Sequence, residues 1–299
     1  MLYRLFMTFT LLIAASMAQA RSLTVLSDIA PVNVLVQAVA KDLQHPTPLI
    51  ELQQSAHDFA LRPSDIGRLG QADLIIWLGP QATPALAKLM ATADLAAKSL
   101  DLSAIDGVNR LGLRKSGLFS QNADRPGLDP HLWLDPANAI LWTGAIASAL
   151  GQADPDNSAE YQENAAALIA EITQTSAQIR SALAVAPPVP FVQYHDGFQY
   201  FETAFGLSAI GSATAEDEES TSLGVISALR EALAVGPRSC VFTRDAAQTK
   251  RAAPLLEIPG SRRGALDPIG RNLPDAAFTY PALLQSVAAG YLDCFTKTP

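Results

Sequence analysis

The chain is poor in the residues that build thiol and cluster chemistry: its 299 residues include two cysteines, Cys240 and Cys294, and four histidines. Two cysteines so far apart form neither a CxxC redox motif nor a four-cysteine zinc knuckle. Charge is scarce, at 17% of residues, and there is no basic excess. The 21 Lys and Arg against 29 Asp and Glu leave a formal charge of −8. That balance argues against nucleic acid or an anionic bilayer surface as partner. Beyond the first twenty residues no apolar run is long enough to span a bilayer, and there are no internal repeats. What is abundant is apolar: 49% hydrophobic residues are enough for large cores and too many for a disordered chain. The length suits about two domains.

Residues 1–20 read as a secretion signal, with basic Arg4, the apolar run Phe9-Thr10-Leu11-Leu12-Ile13-Ala14-Ala15 and the small-x-small site Ala18-Gln19-Ala20. No cysteine adjoins that site, so no lipobox is present and the expected location is the periplasm. In an oxidising compartment Cys240 and Cys294 are expected to pair as a disulfide rather than bind metal. Two buried free thiols are the alternative that the sequence leaves open.

Short apolar runs alternate with helical patterns. Leu23–Leu26, Pro48–Leu52 and Leu74–Leu78 begin about 25 residues apart, a βα rhythm. Between the first two, Val32, Leu35, Val36, Val39 and Leu43 share one helical face. Before the third, Pro63-Ser64-Asp65 opens a helix with Ser64 as the expected N-cap. From Asp154 the texture changes: a cap-rich cluster precedes a stretch to Ala186 without glycine or proline, with a stripe at Tyr161, Ala165, Leu168, Ile172, Ile179 and Leu183. One helix of that length extends about 42 Å and serves as a rigid connector. The rhythm resumes with runs at 189–194, 207–210, 239–242 and 264–266. The predicted fold is α/β: two doubly wound lobes (21–155 and 187–299) joined by one long rigid helix (156–186), with the ligand site in the interlobe cleft.

Three of the four histidines share one kind of context. His57 follows the second strand, His195 ends a strand in Phe191–Phe198, and His131 lies in the proline-bounded segment Asp129–Pro136. A lone loop histidine is most often an ordinary loop residue, and His45 beside Pro46 is read that way. Three aimed at one cleft form a zinc-type donor set with one position left for a carboxylate or water. Asp267, ending the strand in Leu266-Asp267-Pro268-Ile269-Gly270, is the carboxylate candidate; an Asp-Pro turn is the other reading of the same residue. The acidic run Glu216–Glu219 reads as a solvated turn or helix start.

The segments from His57 to Asp65, His131-Leu132-Trp133-Leu134, His195 to Phe201 and Leu266 to Gly270 resemble the signature blocks of the metal-binding (cluster A-I) solute-binding proteins of ABC importers. Within these the chain is most similar to the periplasmic zinc-uptake, ZnuA-type, group, because His195 stands where manganese-binding relatives typically have glutamate. The resemblance implies Zn²⁺ as transported ligand, held by His57, His131 and His195 with Asp267 or water completing the shell. It also implies an inner-membrane ABC permease with its ATPase as partner, a monomeric receptor and no enzymatic activity. A disulfide in the second lobe, as Cys240 and Cys294 suggest, is frequent in the zinc members. The chain departs from that group in having no histidine between Asn109 and Asp129, in carrying Ala56 before the first histidine, and in a short segment from Arg251 to Arg263.

Rival readings are a manganese or iron receptor of the same family and a zinc hydrolase, for which Asp58 and Asp196 are the nominees as general base. The same two carboxylates also suit the orientation of ligand imidazoles. An adhesin reading finds no wall anchor, lipobox or repeats to support it.

Overall fold

A computed structural model describes residues 22–52, 54, 59–119, 127–215 and 221–297. Residues 1–20, His57, Asp58 and Glu216–Glu219 lie outside the described residues.

The first lobe runs β1 (Val25–Ser27), α1 (Ala30–Ala40), β2 (Thr47–Pro48), α2 (Pro63–Gln71), β3 (Leu74–Trp77), α3 (Pro84–Met90), α4 (Ala93–Ala96) and β4 (Ser99–Asp101). After a long irregular passage come α5 (Pro136–Ala153) and the long α6 (Ser158–Ala184). The second lobe follows as β5 (Phe191–His195), α7 (Gln199–Phe205), β6 (Gly211–Thr214), α8 (Leu223–Leu233), β7 (Ser239–Thr243), α9 (Ala246–Arg251), α10 (Ala253–Leu256), β8 (Ser261–Ala265) and α11 (Tyr280–Thr296). Both sheets are parallel, in the orders β2-β1-β3-β4 and β6-β5-β7-β8. Each chain path goes out one way from its first strand and then crosses back, leaving a crevice at the carboxyl ends of β1/β3 and of β5/β7.

Helix α6 is 27 residues long, and the stripe predicted from the sequence is its buried face. That face packs on α1 and α5 from the first lobe and on α7 and α11 from the second. One apolar cluster consequently runs from Val25 in β1 to Phe295 in α11, and a smaller one fills the far side of the second sheet around Val192, Leu229 and Val241. Polar bonds fix the first half of the spine: Asn164 Nδ2 donates to Val39 O at 3.0 Å and Tyr161 Oη donates to Asp154 at 2.8 Å. The disulfide Cys240–Cys294 ties β7 to α11. At Gly290 an added Cβ would sit 2.3 Å from Ala265 O, so only glycine lets α11 lie this close to β8.

Several local features differ from the sequence reading, among them the strand expected at Pro48–Leu52, which pairs only over Thr47–Pro48. Pro63 is the first helical residue of α2, so Arg62, not Ser64, is its N-cap, and Asp65 accepts from the Arg62 amide at 2.9 Å. The strand expected at 207–210 lies at Gly211–Thr214. Gly206 closes α7 in the left-handed conformation, Leu207 N still bonds Glu202 O, and pairing begins only when Ile210 N reaches Phe191 O. Small residues carry β6 because Leu118 and Leu229 press on Gly211, leaving no room for a Cβ. β4 and most of β8 escape the sequence pattern because edge strands tolerate Ser, Asp and Arg on their open sides.

At the carboxyl end of β1, fully buried Asp28 accepts from Leu78 N (2.8 Å), Ile29 N (2.9 Å) and Thr83 Oγ1 (3.3 Å), pinning β1 to the segment after β3. Burial pushes its carboxyl from the ordinary 3.8 to about 6, against these hydrogen bonds, which pull it down.

The bridge spans 54 residues, so chain entropy assigns it ~4 kcal/mol. The Cys240→Ser/Cys294→Ser variant is expected to lose that much in urea titrations, and a loss under about 1 kcal/mol would contradict the model. The folded chain holds the Asp28 proton more tightly than the unfolded chain. The group's contribution is therefore greatest below pH 3.8 and declines as pH rises through about 6, by about 3 kcal/mol in all. Asp28→Asn should remove that part of the pH dependence, read as the difference between variant and wild-type stability at pH 4 and pH 7; a constant difference would show the assignment wrong.

Candidate metal centre

His195 is the last residue of β5, beside the point where the second chain path reverses. Its backbone is fixed on both sides: it pairs with Thr214, whose Oγ1 donates to Tyr194 O at 2.9 Å, and Gly197 N donates to His195 O at 2.9 Å. Strand alternation places Gln193 on the same face, where its Nε2 donates to Tyr291 Oη at 2.9 Å.

His131 is held by Asp129, one of whose carboxylate oxygens meets both the His131 amide (2.9 Å) and ring Nδ1 (2.8 Å). The Asp-Pro-His sequence makes this natural, since an aspartate readily bonds the backbone two residues on. The turn that follows, Leu132–Leu134, is buried and docks on the second lobe: Trp133 Nε1 donates to Pro268 O at 2.7 Å and Tyr280 Oη donates to Trp133 O at 2.7 Å. Asp135 then caps α5 through Ala137 N, with Pro136 at the first helical position.

The two rings meet edge-on, with centroids 4.9 Å apart, and both residues are buried, at 2% and 5% exposure. A Cβ at Gly197 would lie 2.9 Å from His195 Cε1, 3.0 Å from His195 Nδ1 and 3.2 Å from His131 Nε2. The His131 nitrogen remote from Asp129 and one edge of His195 thus border the same small space. A carboxylate on the far nitrogen of an imidazole fixes its tautomer and raises its basicity, the usual arrangement behind a metal-binding histidine.

Of the four residues expected at the metal, the structure brings His131 and His195 together, and His57 lies outside the described residues. Asp267 shapes the Asp-Pro turn: Oδ1 accepts from Ile269 N at 3.2 Å and Oδ2 from Asn272 N at 3.1 Å. This turn presents Pro268 O to Trp133. Among the described residues, which leave out His57, no three His, Cys, Asp or Glu side chains form a metal-sized cluster.

Asp196, nominated as base or imidazole-orienting group, is bonded through both of its oxygens to the Arg114 guanidinium. Arg114 also donates from Nη1 to Glu202 Oε2 at 2.7 Å. Desolvation lowers the Arg114 pKa, but the Glu202 and Asp196 carboxylates more than offset this and hold it above its ordinary range. The carboxylate behind the His131 ring is Asp129, a residue that the sequence analysis places in the motif without a role. The signal was its place two residues before His131.

Residues 25–294 match the family model of the zinc-uptake complex component A, periplasmic (ZnuA). The high-affinity zinc uptake system protein ZnuA of Brucella suis biovar 1 (strain 1330) is 28% identical, over 95% of this chain and 94% of that protein. That of Paracoccus denitrificans (strain Pd 1222) is 32% identical, over 94% of each. The crystal structure of Zn(II)-bound AdcA from Streptococcus pneumoniae shares the fold at TM-score 0.74 and 19% identity; the match covers 93% of this chain but 58% of that longer one. No helix among the described residues is long and apolar enough to cross a membrane. The chain belongs to the periplasmic zinc-uptake complex component A family, whose members are transport components and not enzymes.

Proposed function

We propose that the protein is a periplasmic receptor that captures Zn²⁺ between its lobes and delivers it to an inner-membrane ABC permease driven by a cytoplasmic ATPase. It works as a monomer after loss of residues 1–20, with lobes at 21–155 and 187–299 and a connector at 156–186. His57, His131 and His195 bind the ion, and Asp267 or a water completes the shell. Asp267 retains lone pairs for this beyond the two amides it accepts, since a carboxylate has about four acceptor sites.

The observation that carries the reading is the pair of buried imidazoles from opposite lobes meeting edge-on, one backed by a carboxylate. Neutral imidazoles suit zinc, whereas manganese favours carboxylate oxygen. Asp196 is ion-paired with Arg114, which leaves the hydrolase reading without that general base.

Metal analysis of protein purified from periplasm, followed by zinc-against-manganese competition, tests the function; preferential retention of manganese would refute it. Calorimetry tests the ligands. Alanine at His57, His131 or His195 is expected to weaken zinc binding by roughly a hundredfold or more, and Asp267→Ala by about tenfold, because water can replace a carboxylate. Unchanged affinity in all three histidine variants would sink the assignment. Gly197→Ala places a methyl against both rings and is expected to weaken zinc by about tenfold; wild-type affinity would show that the space beside Gly197 is not the metal position.

A further inference from the structure

Residues 109–119 leave the first lobe and lie against the second. At their start Asn109 is tied to α5: its amide donates to Asn138 Oδ1 at 2.7 Å and its Nδ2 to Asp135 at 3.1 Å. Two residues later Leu111 N donates to Tyr200 Oη in α7 at 2.8 Å, and Leu111 O accepts from Asp129 N at 2.9 Å. At the far end Leu118 forms a parallel bridge with Gly211 at the open edge of β6, and its carbonyl accepts from Ser212 N at 3.1 Å. Between these anchors sits Arg114, 16% exposed, bonded to Asp196 and Glu202 and stacked on the Phe119 ring with its Cζ 4.0 Å from the centroid.

This strap touches the seats of both candidate metal histidines. Through Leu111 it pairs with Asp129, which holds His131 by backbone and ring. Through Arg114 it holds Asp196, the residue after His195, and Glu202. One planar cation serves two acids, one following the end of β5 and one in α7. A lysine, a point charge with rotating donors, cannot reproduce that fork. Removing the cation leaves two buried carboxylates facing each other.

We propose that Arg114 is a positioning residue for the metal site, and that the strap it fastens sets how long the cargo is held by keeping the seats of His131 and His195 in register. The proposal rests on the zinc reading given above. It concerns retention more than capture, since the strap bears on the seats of the two histidines and not on the encounter with the ion.

The test is stopped-flow zinc release into excess chelator, with association followed separately, on the full mature chain. Arg114→Gln is expected to release zinc about tenfold faster or more, with association within about twofold of wild type. Arg114→Lys should fall between, and Lys115→Ala, which removes an exposed strap cation, should match wild type. Tyr200→Phe deletes the Leu111 anchor together with the Tyr200 Oη bond to Asp129 O at 3.3 Å, without exposing a buried charge, and should accelerate release in the same direction by a smaller factor. Should Arg114→Gln not fold, Arg114→Lys, which keeps the charge but not the fork, decides the matter, and wild-type release from it overturns the proposal. Wild-type release rates in Arg114→Gln and Tyr200→Phe overturn the proposal, even if melting temperature falls, since that result assigns the strap to stability alone. A wild-type protein that does not retain zinc removes the functional reading and this proposal together.

Discussion

The structure depends on burial of one helical stripe from both sides. Helix α6 offers Tyr161, Leu168, Ile172, Ile179 and Leu183 to helices of the first lobe and of the second, so the two sheets share one apolar core. Opening the lobes widely would expose that surface to water, at a cost proportional to the apolar area uncovered. The lobes are thus held at a fixed separation, and side chains at the carboxyl ends of β-strands and the loops beside them can meet with little freedom.

Upon this frame the meeting of the lobes is polar and specific. Trp133 and Tyr280 cross from one side to the other through backbone carbonyls, Tyr200 reaches Leu111, and Arg114 gathers Asp196 and Glu202. The Trp133 and Tyr280 bonds are buried and the other two partly buried, and leaving a buried partner unmatched costs more than the bond contributes. His131 and His195 sit inside this network, so their edge-on contact is imposed from outside the pair.

The disulfide and the glycines act on the same problem from below. Cys240–Cys294 holds α11 to β7, and Gly290 lets the same helix approach β8. Because α11 also packs on α6 and α1, fixing it to the second sheet fixes the spine to both lobes.

The sequence by itself determined the parts that repeat locally. The βα rhythm, the glycine-free connector and its stripe, and the strand-end position of His195 are all set by spacing, since helix and strand periodicities are properties of the adjacent chain. Tertiary structure decided what depends on residues far apart. Gly-Ser-Ala-Thr became β6 because Leu118 and Leu229 occupy the space beside it, and Asp196 turned to Arg114, 82 residues away, while Asp129 took the role behind His131. Composition names the groups that can bind or pair; a buried charge takes whichever partner the packed core brings within reach, and no local pattern encodes that choice.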